Sequence, residues 1–134
     1  MVKKGIGNSN KKLITSTFLL EIHTAKPYNI NMEFIEAVAF TKHVSDYLSD
    51  DEYAGFQSYL LQNPDSGKII KGSGGIRKVR WATTGKGKSG GVRIIHYYKK
   101  SDFEIWLLTI YSKSEVASIP AHTLRLIAEE IEND

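Results

Sequence analysis

From Arg77 to Tyr111 the chain is written largely in β-branched, aromatic and aliphatic residues, broken by a glycine- and lysine-rich loop and by one short turn. Arg77–Trp81, residues 92–98 and residues 103–111 each read as a strand, and strands joined this closely pair most simply with one another. An antiparallel sheet is therefore the expected spine of the fold. The same segment is chemically one-sided. Between residues 67 and 100 stand ten basic residues (Lys68, Lys71, Arg77, Lys78, Arg80, Lys86, Lys88, Arg93, Lys99 and Lys100), eight of the eleven glycines, and no Asp or Glu. The flanks are acidic: residues 32–66 carry seven acids against one Lys, and residues 101–134 seven acids against two basic residues. The net charge of +3 thus conceals a polarised molecule. Positive charge gathered on a strand-forming segment suits a polyanion, because Lys and Arg gain affinity for phosphates by releasing counterions. The plainer alternative is a solvated basic face.

Around this segment the chain reads as one domain over residues 32–134. Residues 33–37 suggest a first strand. Phe40, Val44, Tyr47 and Leu48 recur at helical spacing, and Ser49 with Glu52 has the form of a capping box opening a second helix with Tyr53, Phe56, Leu60 and Leu61 on its buried side. Asn63-Pro64 ends it. Ile119-Pro120 opens a last helix whose Leu124, Ile127, Ala128 and Ile131 share a face. The expected order is β-α-α-β-β-β-α, an α+β fold with a mostly antiparallel sheet packed by an N-terminal helix pair and a C-terminal helix. Residues 1–31 hold five Lys, one Glu and no sustained period, and read as an N-terminal extension of disorder-prone composition at its start. With no cysteine there is no disulfide framework, and the apolar stretches are too short to span a bilayer. A basic patch before residues 13–20 imitates a signal peptide but is diluted by Thr, Ser and Glu21, so a cytoplasmic location is expected.

Alternation sorts the strand residues by face. Lys78 and Arg80 share a face; so do Arg93, Ile95 and Tyr97, opposite His96; Ile105, Leu107, Thr109, Tyr111 and Lys113 alternate with Trp106, Leu108 and Ile110. If the strands meet with their basic members on one side, Lys78, Arg80, Arg93, Tyr111 and Lys113 converge there as a cationic face with a phenol, which suits RNA. Two other patterns carry less. Residues 82–89 satisfy a relaxed phosphate-loop pattern, but a strand-like run follows where a helix is needed, which argues against nucleotide hydrolysis. The four histidines are scattered, with no pair at i,i+4 spacing, so neither a metal site nor a cofactor is expected.

Three runs together resemble a known family: Gly72-Ser-Gly-Gly-Ile-Arg-Lys-Val-Arg80, then Gly85-Lys-Gly-Lys-Ser-Gly-Gly-Val-Arg-Ile-Ile-His-Tyr-Tyr98, then Leu107-Leu-Thr-Ile-Tyr-Ser-Lys113. Over about residues 32–131 the chain resembles the HigB branch of the RelE toxin superfamily. The resemblance implies a small RelE-like fold and a metal-independent, ribosome-dependent endoribonuclease that cuts messenger RNA by attack of its own 2′-hydroxyl. Catalytic roles would then fall to Lys78, Arg80, Arg93, Tyr111 and Lys113. Arg77, Lys86, Lys88 and Lys99 would contact messenger or ribosomal RNA. A helix-turn-helix antitoxin would be the protein partner, and operator DNA would be reached only through it. His96 stands where relatives more often carry a tyrosine, and Lys113 where some carry an arginine; Lys113 cannot offer the same bidentate fork. The alternatives are a non-catalytic RNA- or ribosome-binding module and an antitoxin-binding co-repressor.

Overall fold

The computed structural model describes residues 11–21, 29–83, 91–115 and 119–134. These form a six-stranded sheet covered on both faces by helices. In chain order the elements are β1 (Lys11–Glu21), β2 (Asn29–Ala37), α1 (Val38–Tyr47), α2 (Asp50–Gln62), β3 (Lys68–Ile69), β4 (Arg77–Trp81), β5 (Val92–Lys99), β6 (Glu104–Ser112) and α3 (Ala121–Asn133). The sheet order is β1-β2-β6-β5-β4-β3. The β2–β6 contact is parallel and the other pairings are antiparallel, as the α+β reading expected. One element was not anticipated. Residues 11–21 lie in the expected unpatterned extension, yet they form β1 along β2. Ile14-Thr-Ser-Thr-Phe18 is β-branched and aromatic, a propensity masked by the lysines around it.

The helix pair forms where the caps direct it. Ser49 Oγ accepts from the Glu52 N–H at 3.1 Å, while the Glu52 carboxylate accepts from the Ser49 N–H at 2.9 Å, completing the capping box at the start of α2. Three acids in that first turn complement the helix dipole. Phe40, Phe56 and Leu60 press on Phe34, Val79, Val92, Ile94, Ile105, Leu107 and Ile110 on one face of the sheet. On the other face Leu124, Ala128 and Ile131 of α3 cover Ile35, Ile76, Ile95, Trp106 and Leu108. Buried Glu36 anchors β2 to both members of the pair, since its carboxylate accepts from the hydroxyls of Thr41 and Tyr53, each at 2.6 Å. No described helix is long and apolar enough to cross a membrane.

Simple alternation fails within β6. Ile95 pairs with Thr109 but His96 pairs with Leu107, so Leu108 is an extra residue, a bulge. Ile105 and Leu107 consequently join the core under α1 and α2, whereas Trp106 and Leu108 face α3 and Tyr111 borders that second core. The expectation that Ile105, Leu107, Thr109 and Tyr111 share one face is corrected by this one residue. Without the extra residue, Tyr111 would follow Ile105 and Leu107 to the other side of the sheet.

Candidate functional site

The bulge sets the register that matters. In the β4–β5–β6 ladder Arg80 is the direct partner of Arg93, and Arg93 of Tyr111. Three side chains separated widely in sequence thus form one row on one face, with neighbouring Cβ atoms about 4.5–5.5 Å apart. Two residues back along β4, Lys78 pairs with Lys68 of β3. The two rows line an open cleft of about 430 Å³ bounded by Gly67, Lys68, Lys78, Arg80 and Arg93. No carboxylate or imidazole is among these lining residues. Like charges placed directly opposite on a sheet oppose folding. Here they do so twice, and a bound anion would relieve both pairs.

Tyr111 is the one acid–base group of the row other than the guanidiniums. Partial burial raises its phenol above the ordinary tyrosine value of 10.0, and the charge on Arg93 works against that shift. The phenol is therefore protonated at neutral pH, able to donate a proton but not to take one. The strand end next to it is tied to α1. Glu115, just past β6, accepts from the Ser112 N–H at 2.9 Å, from Ser112 Oγ at 2.8 Å and from the Tyr47 hydroxyl at 2.6 Å. The Tyr47 hydrogen bond, with those from Ser112, pulls the Glu115 carboxyl down to about 2.

Lys68, one of the ten basic residues, and Gly67 were given no site role from the sequence, although they form a wall of the cleft. Their position depends on the turn at residues 70–76. Buried Ser73 closes it, donating from Oγ to the Ile70 carbonyl at 2.6 Å and accepting from the Ile76 N–H at 3.0 Å. The run Gly72-Ser-Gly-Gly75 is the signal that a hairpin centred on Ser73 would have placed Lys68 against Lys78. Gly67 adopts φ +90°, and a Cβ there would stand 2.5 Å from the Lys78 carbonyl oxygen. Only glycine lets the loop approach β4 so closely.

The remaining expected residues divide. Lys113 is exposed in the turn after β6, where its backbone N–H donates to the Gly91 carbonyl at 3.4 Å; it lies beyond the strand row and is not among the cleft-lining residues. Arg77 falls on the opposite face by alternation and serves the loop, donating to the Gly67 carbonyl at 3.0 Å and lying 3.8 Å from Asp65. Lys99 is corrected as an RNA contact. It is 3% exposed, ion-paired to Asp102 at 2.9 Å and bonded to the Asp134 carbonyl at 3.3 Å, so its ammonium is committed at the far end of β5. Lys86 and Lys88 lie outside the described residues. His96 is fully buried and faces away from Arg93, with Nε2 3.0 Å from the Ser66 carbonyl. A carbonyl can only accept, so Nε2 carries the proton; Nδ1 has no hydrogen-bond partner among the described residues. Burial, more than any neighbour, lowers its pKa and keeps it neutral. Among the described residues, no three His, Asp or Glu side chains are grouped so as to hold a metal ion.

No protein-family model matches the chain.

Proposed function

We propose that this protein is a ribosome-dependent messenger-RNA endoribonuclease of the RelE/HigB type, the cytoplasmic toxin of a toxin–antitoxin pair. The observation that carries the reading is the row Arg80–Arg93–Tyr111, in direct register on the α3 side of the sheet, with Arg80 and Arg93 lining a cleft of cations and no acids and Tyr111 beside Arg93. A phosphodiester seated there has guanidiniums beside it and a neutral phenol at its edge. The 2′-hydroxyl attacks the adjacent phosphorus, its proton passes to a base, and the 5′-oxygen leaves with a proton from an acid. A 2′,3′-cyclic phosphate and a 5′-hydroxyl result. Arg93 and Arg80 stabilise the charge-rich pentacoordinate transition state, where fixed donors do most of their work. Tyr111 supplies the leaving-group proton or stacks on a base. Lys78, two residues before Arg80 on β4, brings a further cation beside the guanidinium row. Lys113, in its exposed turn, serves better as an outer cation than as a partner of Tyr111. The antitoxin is the partner that would neutralise the cationic face, and operator DNA is reached through it.

A second reading has its own observation. The cleft lining lacks a carboxylate or imidazole base, which also fits a domain that occupies RNA or the ribosome without cutting. Induced expression of the full chain beside Arg93→Ala, with mapping of messenger 5′ ends, separates the two. Growth arrest with new ends in translated messages, absent in the variant, is the expected result. Arrest without new ends selects the binder. A folded protein that neither arrests growth nor cuts sinks both.

A further inference from the structure

The cleft contains two cationic rows, and a single phosphate needs only one. Lys68 and Lys78 face each other across β3 and β4, and Arg80 and Arg93 across β4 and β5. Lys78 and Arg80 are separated by one residue on the same strand, so the rows lie about 6.6–6.8 Å apart. That distance matches the repeat between consecutive phosphates of an extended nucleotide chain. Both rows border the same cleft, and Gly67 with its φ of +90° brings the Lys68 end of the loop against the Lys78 backbone. The loop is fixed from the opposite side of the sheet by Arg77 on the Gly67 carbonyl and His96 on the Ser66 carbonyl. Lys68 therefore stands on the sheet's edge strand, but on a segment anchored through Ser66 and Gly67.

Resting on the proposed function, we infer that the cleft takes two consecutive phosphates of a single strand. The reacting phosphate sits at Arg80 and Arg93, and its neighbour is held by Lys68 with Lys78. The second row sets the register of the strand, so that one linkage and not the next reaches Tyr111. Lys68 is then a substrate-binding residue that selects an extended strand over an isolated phosphodiester. A duplex, whose phosphates follow a helical path away from the flat ladder, fits the two rows poorly.

The test uses the full chain with 2′-O-methyl ligands, which cannot be cut because the nucleophile is blocked: a dinucleotide with one phosphate and a trinucleotide with two, titrated by NMR at low salt and at increasing salt. The expected result is tighter and more salt-dependent binding of the trinucleotide, with the slope of log K against log salt steeper by about 0.7 for the extra contact. Lys68→Ala should remove that increment while leaving the dinucleotide unchanged, and Arg93→Ala should weaken both ligands. Lys68→Gln, which keeps the stem but not the charge, should behave as Lys68→Ala. Lys68 variants that affect both ligands equally, or neither, overturn the two-phosphate inference while the Arg93 result stands. Failure of the trinucleotide to bind at millimolar concentration overturns it as well. If Arg93→Ala weakens neither ligand, it is the proposed function that falls.

Discussion

At the scale of single residues, Tyr111 carries the sharpest consequence. Its phenol is raised by burial and restrained by Arg93, so it stays protonated across the neutral range. If it delivers the leaving-group proton, Tyr111→Phe should slow cleavage on the ribosome by about 10²–10⁴-fold, the usual worth of a general acid, and Tyr111→Ala should be no worse. If it only stacks, Phe should retain most of the rate and Ala lose it. Single-turnover rates on programmed ribosomes distinguish the outcomes. The alkaline limb adds a sign. Donation by a phenol with a raised pKa should persist up to at least the ordinary tyrosine value of 10.0, so a fall in rate well below that pH points to another group. Tyr111 and Arg93 were recognisable in the sequence by type. That they are direct neighbours was not, because their proximity depends on which residues of β5 and β6 are paired.

At the scale of elements, two backbone irregularities position the site. The bulge at Leu108 rotates the end of β6 by one face, and the positive φ of Gly67 brings the loop before β3 against β4. The second is the easier to test. Gly67→Ala places a methyl in the path of the Lys78 carbonyl and forces alanine into a conformation it disfavours. It should cost at least about 1 kcal/mol of stability by denaturant titration. It should also displace Lys68, weakening RNA binding more than a substitution remote from the cleft of equal stability cost. The helices were more legible. Ser49 and Glu52 announce the start of α2, Pro64 follows its end, and the apolar spacing of α3 matches its buried Leu124, Ala128 and Ile131. Local chemistry writes such signals within a few residues. The bulge leaves none, since it depends on how β6 pairs with β5 and on which of its residues each core takes.

At the scale of the molecule, the two faces of the sheet are coupled through β5. His96 and Arg77, on the α1/α2 side by alternation, secure the loop that walls the cleft on the other side. His96 is neutral because it is buried, with Arg77 also disfavouring charge and the Ser66 carbonyl and Asp65 favouring it. Its folded pKa lies below the ordinary 6.5, so near and below that value the unfolded chain binds more protons than the folded one. Its contribution to stability is complete above 6.5 and declines as pH falls through that value toward the folded pKa. Thermal melts from pH 7.5 to 5 should show a decline that is shallower in His96→Gln, which can bridge to the Ser66 carbonyl but cannot be protonated. Parallel profiles for the two proteins would exclude His96 as the source.

Sequence alone determined the chemistry available: a basic, acid-free segment of strands between acidic helical flanks, with Lys78, Arg80, Arg93, Tyr111 and Lys113 as its candidates. These follow from composition and short-range period, which each segment carries within itself. The tertiary structure decided which of those charges act together. It buried Lys99, turned Arg77 to the loop, left Lys113 beyond the ladder and brought Lys68 in. It also added β1, whose partner is β2. Pairing register and burial are long-range properties. They emerge only when two cores compete for the same strands, and no segment read by itself records the result.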